Sequence, residues 1–221
     1  VFSQFFLLTL YMQQVLHYSA LKTGVAYIGL TVTTIALSAL AQGLVTRFGV
    51  RSILPVGLAL STVALVFFAQ LPVHGHYFRD LFPGFIISGL GLAFVFIPMS
   101  IGALTGVRPA DAGIASGLIN TSQQIGGAIG VAAATTIATT FTNHYVNSHR
   151  GTTAFSAAAL VHGFQIAFYV LAGTAAVGAV LARLLIEPQR SVAESRPEVD
   201  EPQVAVASQY TPLCHETVTS A

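Results

Sequence analysis

The chain has 221 residues and a formal net charge of +1, yet only 8% of its positions are charged, against roughly 25% in ordinary soluble domains. Hydrophobic residues make up 54%, and the acidic side chains avoid every long apolar run. That distribution excludes a water-soluble globular domain and points to a bilayer protein; no nucleic-acid partner and no cofactor is expected.

A hydrocarbon core of about 30 Å takes about 20 residues of helix to cross. Six stretches qualify, at residues 1–16, 24–46, 52–71, 81–105, 112–141 and 160–186. A membrane barrel is the other structure that lipid tolerates, but its strands alternate apolar and polar residues, and runs such as 59–68 show no alternation. The sequence therefore predicts an all-α, multi-pass transmembrane six-helix bundle over residues 1–186, with an acidic, proline-broken and solvated tail over 187–221.

The first stretch starts at Val1 inside an apolar run, with no initiator Met and no signal-peptide pattern. It reads as a truncated span, with more of the protein expected upstream. It carries Gln4, Gln13 and Gln14, and the second stretch carries Thr31, Thr33, Thr34, Ser38 and Gln42. The third is nearly all aliphatic or Phe after Pro55. In the fourth, Gly84, Ser88 and Gly91 form a close-packing edge and Pro98 predicts a kink. The fifth places Ser116, Asn120 and Gln124 at i, i+4 and i+8, with Gly127 extending the stripe. The pairs Gly113/Gly117 and Gly126/Gly130 lie on adjoining arcs. The sixth holds little beyond Gln165, Tyr169 and Thr174 among its apolar residues.

An amide buried in hydrocarbon without a partner costs a few kcal/mol, so each must face something. Ser116, Asn120 and Gln124, with Gln123 beside them, read as part of a cavity wall. Interhelical hydrogen bonding that only holds the bundle together is the alternative. The unequal polarity of the helices suits a bundle with one wet side and one lipid side.

Short loops make successive helices antiparallel neighbours. If the first span runs outward, Arg47, Arg51, Arg108, Arg183, Arg190 and Arg196 lie inside and Lys22, Arg79 and Arg150 outside, which places both ends of the bundle in the cytoplasm of a cell membrane. The tail holds two basic and six acidic residues, leaving the membrane part with seven and two. The longest loop, about 142–159, is polar and reads as external. Its histidines, like His74 and His76, match no metal-ligand spacing, and no metal site is expected. Cys214, the only cysteine, reads as a free thiol.

Four segments carry a family resemblance: 11–24 (YMQQVLHYSALKTG), 40–51 (LAQGLVTRFGVR), 89–98 (GLGLAFVFIP) and 113–130 (GIASGLINTSQQIGGAIG). In this order they resemble the C-terminal half of the fourteen-span drug:proton antiporter branch of the major facilitator superfamily. The resemblance implies two six-helix halves that rock about a substrate between them, with the first, second, fourth and fifth helices of each half lining the cavity. It implies as partners a small-molecule substrate, protons, the lipid bilayer and a missing N-terminal half.

On this reading the substrate-cavity residues are Ser116, Asn120, Gln124, Gln13, Thr34 and Ser38. The helix-packing residues are Gly113, Gly117, Gly126, Gly127, Gly130, Gly89, Gly91 and Pro98. Arg47, Gly49 and Arg51 match the family's cytoplasmic loop motif, whose charges favour the outward-facing state; Thr46 stands at its acidic position and Gln42 at a glycine position, which weakens a charge-based lock here. A plainer reading makes the two arginines topology anchors at anionic headgroups.

No span has a carboxylate in its interior. A proton-carrying group would lie upstream or at the edge residues Asp80 and Asp111, although Asp80 also reads as an interfacial partner of Arg79. His162 reads as a hydrogen-bonded boundary residue. The implied function is export of small organic compounds by proton antiport and alternating access. The alternative is a non-transporting membrane remnant or an assembly or sensor subunit; an intramembrane enzyme would need a catalytic set at bilayer depth that the sequence lacks.

Overall fold

The computed structural model describes residues 1–148 and 156–185. The tail, with Cys214, Arg190 and Arg196, and the residues His149 and Arg150, whose roles the sequence suggests, lie outside the described residues. Among the described residues there are seven α-helices: α1 (Phe2–Leu10), α2 (Ala20–Ala26), α3 (Ile28–Phe48), α4 (Val50–Phe68), α5 (Phe82–Leu104), α6 (Ala112–Ser148) and α7 (Ala157–Leu185). No strand occurs among the described residues, so the expected all-α class holds.

Among the described residues five helical stretches are long and apolar enough to cross a membrane: Ala20–Phe48, Val50–Phe68, Tyr77–Leu104, Ala112–Ser148 and Ala157–Leu185. The sixth expected stretch, residues 1–16, read as truncated in the sequence, is the shorter α1 with its π-helical turn. Helix α1 widens into a π-helical turn at Tyr11–Val15 and stops there. At about 1.5 Å per residue it reaches only about 21 Å.

Helix α6 corrects the loop at 142–159. Its 37 residues run on to Ser148, so Asn143, His144 and Asn147 sit on helix rather than loop. At roughly 55 Å it outruns the hydrocarbon, and polar residues prolong a helix readily once they are outside it. Thr142, at the expected loop start, is buried and donates to the Ala138 carbonyl at 2.8 Å.

Helix α4 packs between α5 and α7; α5 also holds α3, and α7 also holds α6, against which α1 lies. One core joins them. Its aromatic chain runs Phe168–Phe68–Phe85–Tyr27–Phe5, with ring centroids 5.2–6.0 Å apart, and so links α7, α4, α5, the α2–α3 junction and α1.

Glycines set how closely these helices approach. A Cβ on Gly57 of α4 would strike the Phe94 backbone of α5, and one on Gly163 of α7 would strike Ala138 and Thr142 of α6. Phe94 lies four residues before Pro98, whose ring nitrogen cannot bond that carbonyl. The freed oxygen therefore faces bare Gly57 backbone. Around Pro98, α5 stays continuous from Phe82 to Leu104.

Gly89 meets the Leu30 carbonyl and Thr33, and Gly91 meets Ser61. Gly127 and Gly130 meet Phe2 and Ser3 of α1, whereas Gly113, Gly117 and Gly126 have nothing within 4 Å. The packing expected of those three is not made within the described residues.

Gly163→Ala is expected to destabilise the folded bundle by about 1–3 kcal/mol, because backbone as well as side chain must move to admit the methyl. Gly24→Ala, where nothing lies within 4 Å, is expected to change stability by less than about 0.5 kcal/mol. Thermal unfolding in one detergent compares the two; equal losses would mean that α6 and α7 are not closely apposed at Gly163.

Candidate functional site: the open faces of helices α3 and α6

Helices α3 and α6 carry open faces, and so does the last part of α7, where Val177, Leu184 and Leu185 are exposed. Ile35 is 67% exposed, and Ile114, Leu118 and Ile129 are 77%, 68% and 66% exposed. Ser116, Asn120 and Gln124 are exposed on α6 too. Ser116 and Asn120, with Ser100 and Leu104 of α5 and with Ile119 and Gln123, line a hollow of about 210 Å³. Gln124 is not among the residues lining it.

The other residues read as cavity-lining are placed elsewhere. Thr34 donates to the Leu30 carbonyl at 2.9 Å and the Gly89 carbonyl at 3.2 Å, so its hydroxyl is engaged at the α3–α5 contact. Ser38 donates to the Ile35 carbonyl at 2.7 Å. Gln13 is exposed on the π-helical turn. None of the three lines the hollow at Ser116 and Asn120, so the structure divides the expected set.

Two amides that drew less attention in the sequence tie helices together. Gln4 Nε2 donates to Ser88 Oγ at 2.5 Å with both residues buried, and Gln165 Nε2 donates to the Leu71 carbonyl at 3.1 Å. Gln4 also lines a cavity of about 250 Å³ with Ser61, Leu65 and Leu171. The signal for such pairs is weak in sequence, since an amide in a span shows only that some partner exists.

At one end of the bundle tyrosines hold the loops. Tyr11 donates to the Pro72 carbonyl at 2.6 Å and Tyr77 to the Ala26 carbonyl at 2.8 Å. Tyr27 donates to the Phe5 carbonyl at 2.9 Å, while Lys22 Nζ sits 3.7 Å from the centre of the Tyr18 ring. Asp80 Oδ2 accepts from the His76 backbone N–H at 2.7 Å. Its expected pairing with Arg79 is corrected: the single ion pair among the described residues is Arg108–Asp111. A backbone N–H fixed at this distance satisfies the carboxylate without ordering a long side chain. His162 lies against the Tyr145 ring at 5.1 Å.

The opposite end carries the loop motif. Gly49 alone separates α3 from α4, at φ 76 with open space around it; the positive φ, rather than crowding, is what requires glycine. Thr46, at the motif's acidic position, donates to the Gln42 carbonyl at 2.7 Å. Asp111 Oδ2 is 2.8 Å from Arg108 Nη2, with side chains 44% and 84% exposed, and such exposed pairs contribute little. Arg47 is exposed, and Arg51 Nε is buried with no hydrogen-bond partner.

Residues 1–218 match the family model of the Major Facilitator Superfamily, and the chain belongs to that superfamily. It is 32% identical over 197 residues to the puromycin resistance protein pur8 of Streptomyces alboniger, covering 88% of this chain and 39% of that protein. It is also 32% identical over 198 residues to the lincomycin resistance protein of Streptomyces lincolnensis, covering 90% and 38%. The cephamycin export protein CmcT of Amycolatopsis lactamdurans is 31% identical over 134 residues, covering 60% and 27%. The chain thus spans about two-fifths of the length of the first two relatives. These matches fall in the drug-efflux branch that the four segments resemble, and they place the chain with membrane carriers rather than enzymes.

The Gln4–Ser88 bond generates a prediction. A double-mutant cycle with Gln4→Leu and Ser88→Ala is expected to return a coupling of about 0.6 kcal/mol, and at most about 2, in the range of interhelical bonds in membrane proteins. Unfolding free energies of the four variants measure it; zero coupling would mean that the two side chains are not partners.

Proposed function

We propose that this chain is the C-terminal six-span half of a secondary transporter that exports small organic compounds across the cell membrane by proton antiport and alternating access. What carries the reading is the open face of α6. There Ser116, Asn120 and Gln124 are exposed, and Gly113, Gly117 and Gly126 have nothing within 4 Å. Polar amides and bare backbone on one membrane helix suit a surface that faces a wet cavity and a second bundle.

The puromycin and lincomycin resistance proteins and the cephamycin export protein among the relatives support a small organic cargo. The missing N-terminal half would supply the facing wall. It would also supply the titratable group that couples protons, because Asp80 and Asp111, the acidic residues of the membrane part, are both already bonded at its edges.

Asn120→Ala or Gln124→Ala in the complete transporter is expected to alter the relative efflux of unrelated compounds at constant folded protein, since water already satisfies groups facing a cavity. Efflux of several compounds, normalised to folded protein, tests this. A uniform loss accompanied by poorer folding would assign both residues to packing, and the absence of efflux for every compound tried would favour an assembly or sensor subunit.

The orientation that follows from the basic residues is six inside against three outside. Single cysteines at Ser52 and Ser148, in a Cys214→Ser background, are therefore expected to differ towards an impermeant thiol reagent on intact cells, with Ser148 labelled and Ser52 protected. The reverse pattern would invert the topology.

A further inference from the structure

Between α1, α6 and α7 lies a cavity of about 340 Å³ that the cavity reading above does not use. Leu7 and Leu10 of α1, Ala138 of α6, and Leu160 and Phe164 of α7 form its apolar wall, while Gln14, Thr139 and Asn143 contribute polar groups. Thr135, the first α6 residue to line it, is about 16 Å along the axis beyond Gln124 at roughly 1.5 Å per residue, so it is separate from the Ser116–Asn120 hollow.

We propose that this cavity binds an uncharged amphiphile, with its apolar body against Leu10, Leu160 and Phe164 and a hydroxyl- or amide-bearing head at Gln14 and Asn143. Three observations carry this. Among the described residues no charged side chain and no histidine lines the cavity, so a charged body would enter uncompensated by them. Gln14 and Asn143 are both exposed and lie near the ends of their apolar runs, where a polar head meets the interface. Leu7 and Leu10 share one face of α1 at i and i+3, and Gln14 falls in the π-helical turn that follows, a feature frequent at functional sites. The close approach of α6 to α7 at Gly163 and Thr142 closes one side. The cavity volume is at the lower end of small-molecule sites, about 300–1,000 Å³.

A resident neutral lipid and a neutral exported compound share this chemistry. Binding of a neutral amphiphile rests on the cavity; only the exported-compound source rests on the proposed transport function. The test uses the complete transporter in nanodiscs with a monoacylglycerol carrying a diazirine in its acyl chain, photolysed and mapped by peptide mass spectrometry. Labelling is expected to concentrate at residues 7–14, 135–143 and 160–164, and excess unmodified monoacylglycerol should suppress it. Thr139→Phe and Leu10→Phe, each filling the space from a different helix, should lower it about tenfold at an unchanged melting temperature.

Lipids co-purified with the wild type then separate the sources. A neutral lipid lost from Thr139→Phe supports a resident lipid, and labelling without any such lipid supports an exported compound. Labelling spread evenly over lipid-facing helices, or unchanged in whichever filled variant keeps its melting temperature, would overturn the site.

Discussion

Everything in this bundle depends on how closely helices can approach without a hydrophobic force between them. Lipid tails are as apolar as leucine, so association rests on dispersion contacts and a few interhelical hydrogen bonds. Gly57, Gly89, Gly91 and Gly163 each sit where a Cβ would strike a neighbouring helix, and they fall at the α4–α5, α3–α5 and α6–α7 contacts. The aromatic chain from Phe168 to Phe5 fills the interior that these approaches enclose. Without the glycines the helices would stand farther apart and the rings would lose their partners.

The polar residues sort by the length of their side chains. Hydroxyls of Thr31, Thr33, Thr62, Thr121 and Thr135 each return to the carbonyl four residues back, so a threonine in a span says little about a cavity. Amides are less easily satisfied on their own helix. Gln4 and Gln165 cross to a neighbour, and Asn120 and Gln124 remain on an open face. That division separates residues that hold the bundle from residues available to something outside it.

Charge is managed at the two ends rather than in the interior. Arg47 and Arg51 flank the single-residue turn at Gly49, where the acidic position of the motif is Thr46. The described carboxylates bond elsewhere, Asp111 to Arg108 and Asp80 to the His76 backbone. A charge lock at this loop would therefore need an acid from outside the described residues.

The sequence by itself determined the all-α class, because an uncharged run of some 20 residues in hydrocarbon can satisfy its backbone only as a helix. It also determined the superfamily, through four segments in order, whereas the positive φ that requires glycine at position 49 came from the structure. Helix ends were less legible: α6 continues through Asn143, His144 and Asn147 because polarity does not end a helix that has left the hydrocarbon. Only the tertiary structure decided which glycines touch a neighbour and which amides find a partner. It turned Thr34 to the Gly89 carbonyl, left Gly113 and Gly117 bare, and paired Gln4 with Ser88 across 84 residues. Spacing along one helix defines a face, but what that face meets depends on how the other helices pack around it.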